Sequence, residues 1–365
     1  MWSKDQIIME DFEAEQGKTS ISKCVNCGAD MVFSPKKGVL VCPFCDSESS
    51  IRVGKPKFKS YMADVSTGYV GGGKAGYRCP NCDGLVKVEG FSTSMTCPYC
   101  GATNVINLSE LSGLKPDGVL PFKVTQEEAI EHGRKWIKRK VFAPRKAKLM
   151  FSPKSMNGLY VPSFIFNADT TSKYEGRFGE EYQVQVKKGD QVVTETRVRW
   201  YNVSGTWIRG FSDITIEACS KTTQSQMNGV LPFDLENSVS YDKAFLAGFS
   251  AERYSTSLKD SCDVAKDKMQ QTIRNEIIRK YNPDRVDYLN VTTTYSNIEY
   301  EYILLPIWQS EYSYKQKIYD FIVNGRTGKS TGKAPVSALR VLWLVLGIVA
   351  VVAGIIVLAY YYGMN

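Results

Sequence analysis

The sequence predicts a multidomain protein in which two small β modules precede an α+β domain with an antiparallel sheet and one C-terminal transmembrane helix. Three observations predict this fold: a cysteine pattern that occurs twice, a region in which strand patterns alternate with two helices, and a final apolar run without charge. The chain has 365 residues, of which 43% are hydrophobic and 23% charged, and this is the composition of a folded protein with several domains.

Changes in composition divide the chain into seven segments. They are an N-terminal lead-in (1–22), module 1 with four cysteines (23–53), a flexible glycine-rich linker (54–77), module 2 with four cysteines (78–108), the α+β domain (109–335), the transmembrane helix and its flank (336–362) and a short tail (363–365). The opening "MWSKDQIIMEDFEAEQ" carries acidic residues where a signal peptide has basic and apolar regions, so we expect no cleaved leader.

Eight of the ten cysteines form a figure that is repeated 55 positions further along the chain. In both copies, "KCVNCGADMVFSPKKGVLVCPFC" and "RCPNCDGLVKVEGFSTSMTCPYC", 14 residues separate two CxxC pairs. Two facing CxxC knuckles supply the four thiolates of a tetrahedral zinc site, and four thiolates leave no position open for water or substrate. We therefore predict two structural Zn²⁺ ions in two zinc ribbons, held by Cys24, Cys27, Cys42, Cys45, Cys79, Cys82, Cys97 and Cys100.

Each module is predicted to form a hairpin between its knuckles. The stretches "MVFSPKKGVLV" and "LVKVEGFSTSMT" have a strand, a turn and a second strand, which bring the second knuckle back to the first. Gly28 and Gly101 complete two of the knuckle turns. Modules of about 25 residues bury too little apolar surface to fold alone, so the metal is expected to supply most of their stability.

Two glycine-rich stretches resemble phosphate-binding loops but lack required residues. "GYVGGGKAG" fits the pattern from Gly68 to Lys74, yet Ala75 stands where Ser or Thr is needed to hold magnesium. "NGRTGKS" (324–330) has too few residues between its glycines, and we interpret it as a turn at a sheet edge. We predict no nucleotide site at either stretch.

The sequence contains no catalytic constellation. His132 is the only histidine and lies in a predicted helix, which leaves schemes such as Ser-His-Asp without a second candidate base. Cys219 and Cys262 have no CxxC partner, so we interpret them as small core or surface residues. We predict no catalytic residues, no cofactor other than zinc and no enzyme activity.

Two helices and two pairs of strands define the α+β domain. The first helix starts in "TQEEAIEHGRKWIKRK", where Thr125 and Glu128 form a capping box, and the second, "CDVAKDKMQQTIRNEIIRKYNP", repeats apolar residues every four positions. The strand pairs are "EYQVQVKKGDQVVTETRVRWYNV", turning near Lys188 and Gly189, and "IEYEYILLPIWQSEYSYKQKIYDFIV", joined across "YKQK". Their alternation predicts an antiparallel sheet with one face in water.

The run "VLWLVLGIVAVVAGIIVLAYYY" (341–362) predicts a membrane span. It carries no charge and is long enough as a helix to cross about 30 Å of hydrocarbon. Lys329, Lys333 and Arg340 precede it, whereas only uncharged residues follow, so the positive-inside rule predicts a single-pass cell-membrane protein with a cytoplasmic N-terminus and body. The reducing cytosol would keep the cysteines as thiols, in agreement with metal ligation.

A basic run lies at the end of the first helix. "RKWIKRKVFAPRKAK" (134–148) contains eight basic residues and no acidic one. Such a run is either a solvated face or a surface that orients the domain against an anionic leaflet, and the sequence leaves both open.

These features together resemble a known protein family. The modules are similar to zinc ribbons of the TFIIB and primosomal-helicase type, and "LYVPSFIFNAD", "VLPFDLENSVSYDKAFLAGFSAERY" and "YILLPIWQSEYSYKQKIYDFIVNGRTGK" before a terminal span extend the likeness over nearly the whole chain. The combination resembles bacterial, mainly Gram-positive, membrane-anchored zinc-ribbon proteins associated with phage-shock-protein-A and flotillin-like (SPFH) proteins. The resemblance implies partners of those types and a part in envelope stress.

We expect a non-enzymatic membrane-anchored adaptor whose zinc ribbons present a cytosolic protein-binding surface. The alternative is a membrane-tethered nucleic-acid-binding protein, because the net charge is +8 and "RVGKPKFKSY" mixes basic and aromatic residues. Steeply salt-dependent binding of DNA or RNA would distinguish the alternative from the adaptor.

Overall fold

The structure is a computed structural model. It describes residues 16–17, 19–20, 22–65, 75–82, 85–88, 92–106, 113–149, 151, 153, 156–188, 191–219 and 223–363. The predicted phosphate-loop look-alike from Gly68 to Lys74 lies outside the described residues.

The described chain contains six α-helices and eighteen strands. The helices are α1 Tyr61–Asp64, α2 Gln126–Arg139, α3 Arg145–Leu149, α4 Gln224–Val230, α5 Leu258–Tyr281 and α6 Ala338–Gly363. The strands are β1 Gln16–Gly17, β2 Thr19–Ser20, β3 Val32–Ser34, β4 Val39–Val41, β5 Glu48–Ser49, β6 Lys59–Ser60, β7 Ala75–Arg78, β8 Leu85–Val88, β9 Ser92–Thr96, β10 Thr103–Ile106, β11 Gly118–Val119, β12 Asn157–Lys188, β13 Gln191–Glu217, β14 Val239–Ser240, β15 Ser250–Glu252, β16 Arg285–Tyr314, β17 Lys317–Asn324 and β18 Ser330–Gly332.

Three long antiparallel strands, β13, β12 and β16, are the frame of the α+β domain. The predicted hairpins are confirmed, since β12 continues into β13 with Lys188 paired to Gln191, and β16 pairs with β17 from Tyr314 to Lys317. Lys315 and Gln316 form the second turn with φ of 48° and 62°, the left-handed backbone of a two-residue hairpin loop. The sheet is not purely antiparallel, because β11 joins β16 and β15 joins β12 in parallel.

The middle of this sheet is covered on both faces. Along β12 and β16, successive residues alternate between two buried clusters: Phe164 and Tyr302 lie in the larger one, whereas Val161 and Leu305 lie in the smaller one with residues of α4. The prediction of one face in water is therefore wrong for this part of the sheet. Its sequence, "YILLPIW", is a nearly continuous apolar run, which is the pattern of a strand buried on both sides.

The far end of the sheet has one covered face, as predicted, and α5 covers it. Tyr281 at the end of α5 shares a hydrogen bond of 2.9 Å with Tyr174 of β12, and Glu276 accepts one of 3.2 Å from the indole of Trp207 in β13. Of the residues of α5 predicted to repeat every four positions, Ala265, Met269, Ile273 and Ile277 are buried and Tyr281 is half-buried. The helix starts earlier than predicted because Ser257 accepts from the Asp260 amide and caps it.

The predicted capping box of α2 is confirmed, with Thr125 and Glu128 each accepting from the other's backbone amide. The "NGRTGKS" turn joins β17 to β18, as predicted for a sheet edge. Its first residue, Asn324, is buried and accepts from the amides of Arg326 and Thr327, while its side-chain amide donates to the Val230 carbonyl. This arrangement ties the turn to α4.

The lead-in and the predicted flexible linker both contribute strands. In the lead-in, β1 pairs with β7 at the end of the predicted linker, and β2 pairs with β10 of module 2. In the predicted linker, β6 pairs with β16 and is followed by α1, where Tyr61 is buried. Short polar segments of two residues give no periodic signal, so the sequence did not indicate these pairings.

One helix in the described chain is long and apolar enough to cross a membrane, Ala338–Leu358, with a mean hydropathy of 3.1. It is the first part of α6, and its side chains are exposed where they are described, except that of Arg340, which is half-buried. This finding fits a single-pass membrane protein.

Candidate metal centres

The structure brings each predicted set of four cysteines together. Within each set the four Sγ atoms all lie within 4.8 Å of one another. The closest pairs are Cys24 and Cys45 at 3.6 Å, Cys27 and Cys42 at 3.5 Å, Cys79 and Cys100 at 3.6 Å, and Cys82 and Cys97 at 3.8 Å. In each set the first cysteine of each CxxC pair is buried and the second is exposed.

These distances fit a tetrahedral metal site. A zinc–sulfur bond of about 2.3 Å places tetrahedral ligands about 3.8 Å apart, whereas a disulfide would require about 2.05 Å. Four thiolates in a tetrahedron suit zinc or iron and saturate the ion. Both groups can therefore hold a metal ion, and four sulfur ligands would leave it no open position.

The knuckles owe their shape to a residue with left-handed backbone after the second cysteine. In module 1, the amides of Gly28 (φ 74°) and Asp46 (φ 55°) donate to the carbonyls of Cys24 and Cys42 at 2.9 and 3.0 Å. In module 2, the Gly101 amide donates to the Cys97 carbonyl in the same way, with φ of 74°. Asp46 was not singled out from the sequence, although Asp tolerates this backbone better than most residues.

Neighbouring groups favour the thiolate form of some ligands. The hydroxyl and the amide of Ser47 lower the pKa of Cys45 to about 6. The pKa of Cys27 is raised to about 12. The Ala29 amide lowers this pKa, but the thiols of Cys42 and Cys45 raise it by more. A cation between the four sulfurs would favour ionisation of all four thiols together.

In module 2, the Ala102 amide and then the side chain of Asn81 lower the pKa of Cys100 to about 6. Asn81 also connects the two modules, since its Oδ1 accepts a hydrogen bond of 2.7 Å from Lys23 Nζ of module 1. Lys23 forms a further ion pair of 2.6 Å with Asp30. The two metal groups are thus neighbours in the fold.

A cleft of about 450 Å³ opens where the modules meet. Phe44 and Met31 of module 1, Asn81 and Thr103 of module 2, and Lys243 of the α+β domain line it. Its wall combines apolar side chains with amide, hydroxyl and ammonium groups.

The remaining candidates from the sequence lie away from the metal groups. Cys219 is buried and donates a hydrogen bond of 2.7 Å to the buried carboxylate of Glu252. Cys262 is buried in α5, where burial raises the pKa of its thiol. His132 is half-buried on α2, and its ring lies against Gly328 of the β17–β18 turn.

Sequence reasoning missed the buried acid Glu301 of β16. Its Oε1 has no hydrogen-bond partner among the described residues, and it lines a cavity of about 250 Å³. Burial, with smaller contributions from Asp117 and Asp213, raises its pKa to about 7. The only signal was its place directly before the apolar run of β16.

Comparison with known proteins reveals a relative that spans almost the whole chain. No family model matches the sequence, and no solved structure matches it. The chain is 30% identical over 328 residues to the uncharacterized protein YdjG of Bacillus subtilis strain 168, and the alignment covers 87% of this chain and 91% of YdjG. A match of that length is longer than any one of the predicted segments, so it is not confined to the cysteine modules. The chain belongs to the same protein family as YdjG of Bacillus subtilis.

Proposed function

We propose that the protein is a non-enzymatic membrane adaptor: two zinc-stabilised ribbons present a protein-binding surface, and α6 anchors them to the cell membrane with the body in the cytoplasm. The observation that carries the proposal is a pair of exposed aromatic side chains at matching positions of the two modules. Phe44 is 80% exposed and Tyr99 69% exposed, and they are separated by the repeat distance of 55 positions.

Exposed aromatic side chains are a sign of recognition. Burying Phe or Tyr gives a large hydrophobic gain for few rotatable bonds, so aromatic residues are enriched in protein interfaces. Phe44 also lines the cleft between the modules, which allows one segment of a partner to contact both of them. The metal would keep each knuckle rigid, and this lowers the entropy lost on binding.

Zinc is the metal that we propose for both groups. A saturated set of four thiolates fits a structural ion, and zinc has no redox chemistry that would complicate such a role. The prediction is two zinc ions per chain, measured by elemental analysis of the purified full chain. Iron would give a coloured protein with a visible absorption band, which zinc cannot produce.

We infer that the partners are cytosolic or membrane proteins. Phage-shock-protein-A and SPFH types remain part of the proposal through the family resemblance, together with a role in envelope stress or membrane organisation. The nucleic-acid alternative is less favoured, because two of the four basic residues in the stretch that suggested it make contacts within the chain. Lys55 donates to the Glu236 carbonyl, and Lys59 pairs with Asp117.

A co-purification experiment tests the adaptor. The tagged full chain is gently solubilised with and without nuclease, and its companions are identified for the wild type, a Phe44→Ser/Tyr99→Ser variant and an Ile208→Ser control. Ile208 is 78% exposed but lies on β13, outside the modules. We expect a defined protein that survives nuclease and is lost only with the double variant.

Two results would count against the adaptor. Equal recovery of every companion from the three chains would show that the exposed aromatic pair does not bind them. Recovery dominated by nucleic acid, sensitive to nuclease and to salt, would support the tethered nucleic-acid binder instead.

A further inference from the structure

The segment from Lys138 to Leu149 is held against the base of α6. The amide of Ser337, directly before α6, donates to the Phe142 carbonyl at 2.9 Å. The guanidinium of Arg340, in the first turn of α6, donates to the carbonyls of Val141 and Ala143 at 2.9 and 2.7 Å. Three hydrogen bonds thus fix this segment, here called the collar, beside the start of the candidate span.

The collar exposes apolar side chains that nothing described in the chain covers. Val141 is 72% exposed and Leu149 86% exposed, and Phe142 between α2 and α3 is partly exposed as well. Ala143 and Ala147 point inward and pack in the domain, so the collar is an ordered part of the fold with an apolar outer side. Two exposed aliphatic residues on either side of a partly exposed Phe are costly in water and favourable at a lipid interface.

Positive charge surrounds these apolar residues. Lys138, Arg139, Lys140, Arg145 and Lys146 are exposed, and in the part of the chain that the structure describes none of them pairs with a carboxylate. The sequence has no acidic residue between Glu131 and Asp169. Lys148 stabilises the collar itself, because its Nζ donates to the Lys138 carbonyl at 2.8 Å.

The collar lies beside the expected boundary between the lipid headgroups and the hydrocarbon. Arg340 is the last charged residue before the uncharged run, so the boundary between headgroups and hydrocarbon is expected near it. Because Arg340 contacts Val141 and Ala143 directly, the collar lies at the depth of the headgroups whenever α6 spans. Basic residues around an apolar tip suit an anionic leaflet, since phosphate groups meet the charges and acyl chains meet the tip.

We propose that the collar is a membrane-docking surface, in which Val141, Phe142 and Leu149 insert into the interface of an anionic leaflet and the surrounding basic residues bind its phosphate headgroups. The inference rests on the proposed anchoring by α6 and goes beyond it. It assigns one face of the α+β domain to the membrane, and so sets the direction in which the two modules face the cytosol.

Photo-crosslinking to lipid tests this surface in the full chain. A benzophenone amino acid replaces Leu149, Val141 or, as a control, Val25, which is fully exposed in module 1. The proteins are reconstituted in vesicles of phosphatidylcholine alone or mixed with phosphatidylglycerol, irradiated, and searched for lipid adducts by mass spectrometry. We expect adducts at positions 149 and 141 but not at 25, with a higher yield in the anionic vesicles.

A charge-reversal variant provides a second test of the docking surface. A Lys138→Glu/Arg139→Glu/Arg145→Glu/Lys146→Glu chain should lose about fivefold or more of the position-149 adduct in anionic vesicles. Two metal equivalents and an unchanged melting temperature show that the variant is folded. Adduct yields at 149 no higher than at 25, or crosslinks from 149 to protein in place of lipid, would overturn the proposal.

Carbonate extraction separates this inference from the anchor. A chain that stays in the membrane pellet but forms no adduct at position 149 refutes the docking surface and leaves the anchor intact. A chain released by carbonate refutes the anchor itself.

Discussion

Modules 1 and 2 have the same cysteine spacing, but their strands pair with the rest of the protein differently. In module 1, β3, β4 and β5 form a sheet of their own. In module 2, β8 pairs with β7, whereas β9 pairs with β10 and with β15 of the central sheet. The predicted hairpin is present in module 1, but in module 2 the two strands belong to different sheets.

The difference shows what the repeat determines and what it leaves open. CxxC spacing fixes where the thiolates point, because it depends only on the local backbone of each knuckle. It does not fix which strands pair, because an edge strand accepts any partner that the rest of the fold brings to it. Module 1 packs on the α+β domain through Phe33, whose ring contacts Phe245 and Phe249 and whose amide donates to the Ala247 carbonyl at 2.9 Å. Module 2 is attached by strand pairing, in which β9 pairs with β15 of the central sheet.

The largest expected effect is that loss of the metal from module 2 disturbs the central sheet, whereas loss of the metal from module 1 does not. Cys24→Ser/Cys27→Ser and Cys79→Ser/Cys82→Ser should each remove one of two metal equivalents, because the proposed structural zinc would contribute on the order of 10 kcal/mol to folding of its module. Only the module 2 variant should also expose the amides of β15, since β9 is their partner on one side. Elemental analysis and hydrogen exchange of Ser250–Glu252 measure the two effects.

Cys219→Ser is the matched control for these variants. The hydroxyl of the introduced serine can still donate to Glu252, as the Cys219 thiol does. Both metal ions and the hydrogen-exchange protection of β15 should therefore be retained. Equal loss of protection at β15 in the two module variants would contradict the proposed difference in attachment.

Phe33→Ala should detach module 1 without removing its metal. Phe33 is buried, and truncating a buried Phe costs about 3–5 kcal/mol. The loss is expected to fall on docking because the ring packs against Phe245 and Phe249 of the α+β domain. We expect two metal equivalents, a lower melting temperature and faster proteolysis within residues 23–53. Loss of one metal equivalent would instead show that docking and metal binding form one cooperative unit.

Local features were predictable from the sequence, and long-range pairings were not. The capping box of Thr125, the hairpin loop at Lys315 and the two cysteine clusters each depend on residues close together in sequence, and the structure agrees with them. The attachment of module 2 joins β9 to β15, more than 150 positions apart, through strands of three to five residues. Such short strands give almost no periodic signal.

The same limit applies to the docking of module 1. Phe33 could be recognised as a buried strand residue, but its partners Phe245 and Phe249 lie in a segment of short turns and strands. At the equivalent position of the repeat, module 2 has Val88. The difference is visible in the sequence, but the side chains that Phe33 contacts are not.

Glu301→Gln changes a residue of the central sheet and serves as a comparison for the variants in the two modules. The folded-state pKa of Glu301, about 7, lies above the ordinary value, so the stability linked to its proton is full at low pH and lost as the pH rises through 7. Gln stays neutral, and it should stabilise the protein by about 2 kcal/mol more at pH 8 than at pH 5. Thermal unfolding at both pH values measures this.

Metal release from the modules should not change in the Glu301→Gln chain, because the residue touches neither of them. An equal gain in melting temperature at pH 5 and pH 8 would refute the raised pKa. Faster metal loss from module 2 alone would show that the central sheet and module 2 are coupled in both directions.

The smallest expected effect comes from exchanging one residue between the modules. Asp46 and Gly101 occupy the same position of the repeat, follow the last ligand and have φ of 55° and 74°. Left-handed backbone costs a residue with a side chain about 1 kcal/mol relative to Gly, and a Cβ at Gly101 would meet no atom within 4 Å. Asp46→Gly should therefore slow metal release to a chelator from module 1, and Gly101→Asp should speed it from module 2, each by about fivefold.

Asp46→Asn separates backbone from charge in this exchange. Asn also tolerates the left-handed region but carries no negative charge beside the thiolates. If the Asp46→Asn chain releases metal as slowly as the Asp46→Gly chain, the charge is what distinguishes the knuckles. If it releases metal at the wild-type rate, the backbone distinguishes the knuckles. Two knuckles with the same ligands then differ in metal retention through the residue that adopts one left-handed conformation.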